Sequence, residues 1–231
     1  MDAIILAAGR GTRLRPLTDT VPKPLIPIAG KGTLARILDN LPPAVSRVII
    51  VVGYLGDAIK AEIGDHSQNR TVEYVSQEVL DGTGGALRWA RPLIRSERFL
   101  VLMGDDLYAA RDLDRLTECE RAVLVQTKEL FKDGMDVWKV KDGKLVELAI
   151  GNKGEKGVTN PGAYVLGHEW FDTEPVLTPG KTDEWSIPHA IPQLLTAHPF
   201  QAVEATFWQM CGTFEELAEA ERVLGQKEKE G

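Results

Sequence analysis

Residues Ile4 to Leu25 constrain this chain more than any other stretch: Ile-Ile-Leu-Ala-Ala-Gly-Arg-Gly-Thr-Arg-Leu-Arg-Pro-Leu-Thr-Asp-Thr-Val-Pro-Lys-Pro-Leu. An apolar run of strand character breaks into a glycine-rich turn. Arg10, Arg13 and Arg15 follow at once, then Lys23 between Pro22 and Pro24. Glycine lets backbone N–H groups approach an anion closely, and the planar arginine fork grips phosphate oxygens. A loop of this composition is built to hold a polyphosphate. Two familiar phosphate loops do not account for it. A Walker A loop places Gly-Lys-Ser/Thr four residues beyond its first glycine, and none follows Gly9. A dinucleotide fingerprint needs a third glycine where Leu14 stands. It also needs an acid after the second strand, where Val48–Val52 runs into Gly53-Tyr54.

The rest of the first half alternates strand and helix. Ala3–Ala8, Arg47–Val52, Val72–Ser76, Phe99–Met103 and Ala122–Thr127 are short β-rich runs, several fully apolar. Helical patterns lie between them at Thr33–Leu41, Asp57–Ile63, Gly84–Ala90 and Asp112–Cys119. This order predicts an α/β fold, a Rossmann-like, mostly parallel sheet flanked by helices on both faces. Sites in such sheets collect at the carboxyl ends of the strands. The opening loop, Gln77–Gly85 and Gly104–Asp106 all follow strands, so they are expected to converge.

From Gly134 the rhythm changes. Asp136–Val140 and Leu145–Ile150 flank Asp142-Gly143, a strong hairpin signal. Asn152–Asn160, polar and glycine-rich, is predicted to be loop; Pro161–Leu166 is predicted to be a strand. Ser186–Thr196 is predicted helical despite its prolines. Thr213–Leu224 is a clearer helix, with Thr213 as cap and Glu216 three residues on. Gln226–Gly231 is charged and expected to fray. The length of 231 residues suits one domain, and no linker or internal repeat divides it. Residues 1–130 form its first portion, 131–225 a smaller β-rich portion, and 226–231 a tail.

The opening segment closely resembles the signature of the sugar-1-phosphate nucleotidyltransferases. Three later segments fit the same family in order, so the resemblance spans nearly the whole chain. It implies that a sugar 1-phosphate attacks the α-phosphorus of a nucleoside triphosphate, giving NDP-sugar and pyrophosphate. Arg13, with the N–H groups of Gly11 and Thr12, would grip the leaving pyrophosphate, and Lys23 would draw the attacking phosphate in. Leu6, Ala8, Gly9 and Thr83 complete the implied nucleotide contacts. Gln77 and Gly82, five residues apart, match the family's base-recognition segment. Gln77 fits uracil or thymine, while Gly82-Thr-Gly-Gly-Ala86 resembles guanylyltransferase members as well. Asp105 in Gly104-Asp105-Asp106 matches the ligand of a Mg²⁺ cofactor, a hard cation that takes one or two carboxylates plus phosphate oxygens.

The sugar side rests on fewer matches. Asn160-Pro-Gly162-Ala-Tyr164 resembles the family's Asn-x-Gly-x-Tyr. Lys153 is the first choice for the sugar phosphate and Lys156 the second, and Gly134 is placed at the sugar pocket. The β-rich portion would thus bind the sugar. One departure stands out. The family's Trp-x-Asp-x-Gly-Thr reads Trp208-Gln-Met210-Cys-Gly-Thr213 here, and a thioether is a poor Mg²⁺ ligand. Either Asp105 holds the metal with water and phosphates, the reading favoured here, or Asp106 or Asp183 helps, or catalysis is lost.

Composition excludes other classes. The net charge is −7, so the arginines are a local concentration rather than part of a nucleic-acid surface. Cys119 and Cys211 have no paired-ligand spacing, which favours a reducing compartment over a zinc site or disulfides. Neither a signal peptide nor a membrane-length apolar run is expected, so the sequence points to the cytoplasm, with no nucleic-acid or membrane partner. His66, His168, His189 and His198 form no ligand spacing or triad, and packing or solvent is expected for each. The same is expected of Ser186, Trp170, Trp185 and Trp208. The alternatives are a catalytically inactive nucleotide- or nucleotide-sugar-binding regulator and a cytidylyltransferase acting on a non-sugar phosphate such as phosphocholine. Oligomeric state is not legible.

Overall fold

The computed structural model describes residues 1–230, with side chains for 1–226. Its strands and helices run β1 (Asp2–Ala7), β2 (Pro27–Ile28), β3 (Lys31–Gly32), α1 (Thr33–Asn40), β4 (Arg47–Val52), α2 (Gly56–Ile63), β5 (His66–Ser67), β6 (Arg70–Ser76) and α3 (Gly82–Ala90). They continue with β7 (Arg98–Met103), β8 (Asp106–Tyr108), α4 (Ala110–Glu118), β9 (Ala122–Glu129), β10 (Met135–Lys141) and β11 (Lys144–Gly151). Last come β12 (Lys156–Thr159), β13 (Ala163–Gly167), α5 (Ile187–Ala190), β14 (Gln201–Glu204), β15 (Trp208–Met210) and α6 (Phe214–Glu230).

One large sheet has the order β10-β11-β14-β9-β13-β7-β1-β4-β6-β5, with β12 paired to β9. Its centre, β7-β1-β4-β6, is parallel. Strand β13 joins β7 and β9 antiparallel, which brings the β-rich portion into the same sheet. Side chains alternate across the pleat and so feed two cores. Ile4 and Leu6 pack with Leu87 and Ala90 of α3 on one face. Ala3, Ile5 and Ala7 pack with α1, α2 and α4 on the other. The expected helices on both faces are therefore present, and β1 is buried along its whole length.

Two expectations from the sequence need correction. Lys156–Thr159, predicted as loop, is a strand that pairs with β9 from Lys156–Glu129 to Thr159–Gln126. Its own hydrophobicity does not specify it. The ladder does, together with the bare Gly157, where a Cβ would lie 2.6 Å from Val137 Cγ1. Ser186–Thr196 is not one helix. Pro192 lacks an N–H donor, and α5 gives way to a 3-10 turn at Ile191–Gln193. Helix α6 extends through Glu230, over most of the segment expected to fray, and Gly231 lies outside the described residues. The Thr213 cap is present, its Oγ1 accepting from Glu216 N–H at 3.2 Å.

A buried ion pair locks the start of β1. Asp2 is 4% exposed and accepts a fork from Arg47 at 2.7 and 3.1 Å. The N–H groups of Arg95 and Ser96 donate to it at 2.7 and 3.1 Å. Burial alone would raise the pKa of Asp2; the fork and the two amides outweigh it and hold the carboxyl below its ordinary value of 3.8. A depressed folded-state pKa contributes stability above that ordinary value and loses it as pH falls through the folded one. Asp2→Asn is expected to cost about 3 kcal/mol at neutral pH, the low end for breaking a buried pair because Arg47 keeps Glu73 at 2.7 Å. The gap between the variant and the wild type should narrow below about pH 4. Urea titrations at pH 7 and pH 3 check both statements; an equal gap at the two pH values would refute the second.

Candidate active site

The parallel strands end together and are stitched there by backbone hydrogen bonds. Gly104 N–H donates to Leu6 O at 2.9 Å, Tyr54 N–H to Ala8 O at 3.2 Å, and Gln77 N–H to Val52 O at 2.8 Å. The chain leaving β1 then turns sharply. Gly11 has φ +62°, and a Cβ there would sit 2.9 Å from Thr18 Cγ2 and 3.2 Å from Lys23 Cβ. Only glycine lets the loop lie so close to Lys23. Thr33 Oγ1 reaches both Pro24 O (3.3 Å) and Gly104 O (2.9 Å), tying the Pro-Lys-Pro segment to the end of β7. The Lys23 ammonium consequently pairs with the Asp105 carboxylate.

These segments line one cleft of about 670 Å³. The opening-loop candidates Leu6, Ala8, Gly9, Gly11, Thr12 and Arg13 all face it, as do Lys23 and Asp105. Gln77, Gly82 and Thr83 line it from the third strand end. The Arg13 guanidinium also lies against the C-terminal segment, since a Cβ on Gly212 would come within 2.7 Å of Arg13 Nη2.

The Gln77–Thr83 loop has more internal order than its glycines suggest. Gln77 Nε2 donates to Asp81 Oδ1 at 2.7 Å and to Gly82 O at 3.3 Å. Its amide nitrogen is occupied, and its carbonyl oxygen is the group left for a partner. Gly82 has φ +85°, and a Cβ there would strike Trp185 O at 2.4 Å. Packing against the Trp185 backbone thus already requires glycine at this position.

The sugar-side candidates divide. Asn160 donates to Tyr164 OH at 2.7 Å and accepts from Gly162 N–H at 2.9 Å, and Tyr164 lines the cleft. Asn160 and Gly162 do not themselves line the cleft; they are linked to it through the Tyr164 hydroxyl. Gly134 and Lys153 are exposed and do not line the cleft; the Lys153 backbone N–H is held by Asp133 Oδ1 at 2.9 Å. Lys156 is an exposed residue of β12.

At the end of β7, Asp106 opens β8 and pairs across the ribbon with Met210 of β15. Trp208 Nε1–H donates to Asp106 Oδ2 at 2.9 Å. Burial and then the Asp105 carboxylate push the pKa of Asp106 up to about 7. Asp183 is exposed and does not line the cleft. Cys211 is buried, and burial pushes its thiol up to about 12, so it is no nucleophile. Among the described residues no three His, Cys, Asp or Glu side chains gather to hold a metal.

Sequence reasoning missed five polar residues of the cleft: Asp136, Thr178, Glu184, Ser186 and His189. Ser186 Oγ meets His189 Nδ1 at 2.7 Å, and His189 Nε2 meets Asp136 Oδ1 at 3.2 Å. The spacing Ser186-x-x-His189 carried a signal, because a serine cap and a residue three positions on face each other at a helix start. Nothing local pointed to Asp136, which lies 53 residues before His189.

Several known proteins are similar to this one. The Bifunctional protein GlmU of Methanococcus maripaludis is 33% identical over 216 residues, covering 92% of this chain and 51% of that protein. The chain thus spans about half the length of such curated relatives. The N-acetylmuramate alpha-1-phosphate uridylyltransferase of Neisseria meningitidis is 43% identical over 110 residues, 46% of this chain and 48% of that one. A crystal structure of UDP-glucose pyrophosphorylase complexed with UDP-glucose superposes with a TM-score of 0.78 at 22% identity, covering 98% of each chain; at that identity the likeness speaks for the fold. No helix among the described residues is long and apolar enough to cross a membrane. The sequence profile of the nucleotidyl transferase family matches residues 2–125, the part that supplies β1, the glycine-arginine loop, Lys23 and Asp105, and the chain belongs to that family.

Proposed function

We propose that the protein transfers a nucleotidyl group from a nucleoside triphosphate to a sugar 1-phosphate. The sugar phosphate oxygen forms a bond to the α-phosphorus, the bond to the β-phosphate bridge breaks, and pyrophosphate leaves. The observation that carries this reading is the convergence of Gly9–Arg13, Lys23 and Asp105 in one cleft at the ends of parallel strands. Arg13 and the Gly11 and Thr12 amides bind the leaving pyrophosphate. Lys23 neutralises the approaching phosphate and the charge that develops in transfer. The free carbonyl oxygen of Gln77 accepts an imino N–H, the edge offered by uracil, thymine and guanine. Leu6, Ala8, Gly9, Gly82 and Thr83 bed the nucleotide, while Asn160 and Gly162 set Tyr164 at the sugar end.

Asp105 offers a hard oxygen, and its side chain is 35% exposed to the cleft, a donor set that suits Mg²⁺ held jointly with substrate phosphates. Such an ion supplies charge neutralisation at the transferring phosphate. Residues 1–130 would carry the nucleotide and 131–225 the sugar phosphate. Two free cysteines and no membrane-crossing helix among the described residues support a place in the cytoplasm.

The test is pyrophosphate release with Mg²⁺ across UTP, dTTP, CTP, GTP and ATP, each with glucose, mannose or N-acetylglucosamine 1-phosphate, or with phosphocholine. Release is expected only with a nucleotide and a sugar 1-phosphate together. Release with phosphocholine alone as acceptor would replace the reading with the cytidylyltransferase one. Nucleotide binding with no release from any pair would favour a binding regulator, the reading that Met210 favours.

A further inference from the structure

The cleft holds a hydrogen-bonded chain that the transfer chemistry above does not use. Ile187 and Ala190 bury α5 in the core. Ile187 N–H donates to Thr83 Oγ1 at 3.2 Å, and Trp185 is bonded to Asp81 O and Gly84 N–H at 2.6 and 2.8 Å. The start of α5 is therefore fixed to the Gln77–Thr83 loop. From it His189 reaches Asp136 on β10, beside Tyr164.

The direction of each hydrogen bond follows from the donors available. Ser186 Oγ accepts from His189 N–H at 3.4 Å as the helix cap, so its own hydrogen is free to donate to His189 Nδ1 at 2.7 Å. With Nδ1 accepting, the neutral ring carries its hydrogen on Nε2 and donates it to Asp136 Oδ1 at 3.2 Å. The two ring nitrogens are exchanged relative to a hydrolase triad, and the serine hydroxyl is already used twice. Ser186 is thus a positioning residue for the ring. Among the described residues His189 is the one group bonded to the Asp136 side chain. A carboxylate has about four acceptor positions, so about three remain. The Asp136 side chain is 36% exposed and lines the cleft, whereas that of His189 is 14% exposed. The carboxylate faces the substrate space, with histidine and serine as its support.

An orientated carboxylate with open acceptor positions suits the vicinal hydroxyl groups of a sugar ring. It repels a sugar that itself bears a carboxylate. We propose that Asp136, held in place by His189 and Ser186, accepts hydrogen bonds from the ring hydroxyls of the acceptor and selects uncharged sugar 1-phosphates over acidic ones. This deepens the proposed function and rests on it.

Steady-state kinetics on wild type, Asp136→Asn, His189→Gln and His189→Phe test it. The acceptors are glucose, mannose and N-acetylglucosamine 1-phosphates against glucuronic acid and N-acetylmuramic acid 1-phosphates. The wild type should prefer its best neutral sugar about a hundredfold in kcat/KM. Asp136→Asn should raise the KM for that sugar about tenfold, shrink the preference about tenfold, and leave the KM for nucleotide within about twofold. His189→Gln keeps an amide donor near the Nε2 position and should retain a KM within about threefold of wild type. His189→Phe cannot donate and should behave like Asp136→Asn, which decides the matter should the Asp136 variant fold poorly. Preference for an acidic sugar in the wild type, or equal losses for sugar and nucleotide in the variants, would overturn the inference and leave the transferase reading intact. A wild type that releases pyrophosphate with no sugar 1-phosphate would remove the transferase reading, and the inference with it.

Discussion

Lys23→Ala and Arg13→Ala are each expected to lower turnover about a hundredfold or more while the fold survives. The fold should survive because neither side chain supports the core. Arg13 is exposed, and the Lys23–Asp105 pair lines the cleft, with the Lys23 side chain 10% and that of Asp105 35% exposed. Loss of this partly buried pair lies between the ~1 kcal/mol of a surface pair and the ~3 kcal/mol or more of a buried one, which is less than the stability of a folded domain. Catalytic loss is larger because both cations act on charge that grows during transfer, where a preorganised donor costs nothing to reorganise. The two variants should differ in kind. In the proposed reaction Lys23 would meet the incoming phosphate, so its loss should fall on kcat and on the sugar phosphate KM. Arg13 would hold the triphosphate end that leaves, so its loss should fall on kcat and on the nucleotide KM. Initial rates with each substrate varied, alongside circular dichroism, check this. Turnover within about fivefold of wild type in a natively folded variant would take that residue out of the mechanism.

The strands that build the site were legible because both faces of the sheet are covered. A strand buried on both sides reads as a continuous apolar run, and β1, β4 and β7 do so. Convergence of the opening loop, Gln77 and Asp105 followed from those strands by the rule that sites gather at their carboxyl ends. Lys156–Thr159 escaped notice because its partner strand β9 and the close approach of Gly157 to Val137 of β10 specify it, rather than any alternation of its own. Gly82 was legible as a glycine, but its packing against the Trp185 backbone, 103 positions on in the chain, was not. The Asp136–His189 pair was unreadable on similar grounds. It joins an edge strand to a four-residue helix, and no local pattern encodes a contact between two such distant segments.

Asp105→Asn is expected to abolish Mg²⁺-dependent turnover, whereas Met210→Ala should leave it within about threefold of wild type. An amide keeps the shape of Asp105 but loses the charge that a hard cation requires. Met210 offers a thioether, which such a cation does not take, so trimming it removes no ligand. The ribbon explains why position 210 is free of charge. Met210 stands directly opposite Asp106, whose pKa is already driven to about 7 by burial and by Asp105. An aspartate at 210 would place like charges face to face, an unfavourable cross-strand pair, beside a third carboxylate. Met210→Asp should therefore melt lower than wild type in chelator, by an amount that grows as pH rises through 7 and Asp106 ionises. Thermal melts at pH 6 and pH 8, with and without Mg²⁺, and turnover of the three variants form the measurement. If Met210→Ala is as damaging as Asp105→Asn at unchanged melting temperature, Met210 takes part in the reaction. If Met210→Asp melts like wild type at both pH values, Asp106 does not ionise opposite it, and the charge argument for the methionine fails.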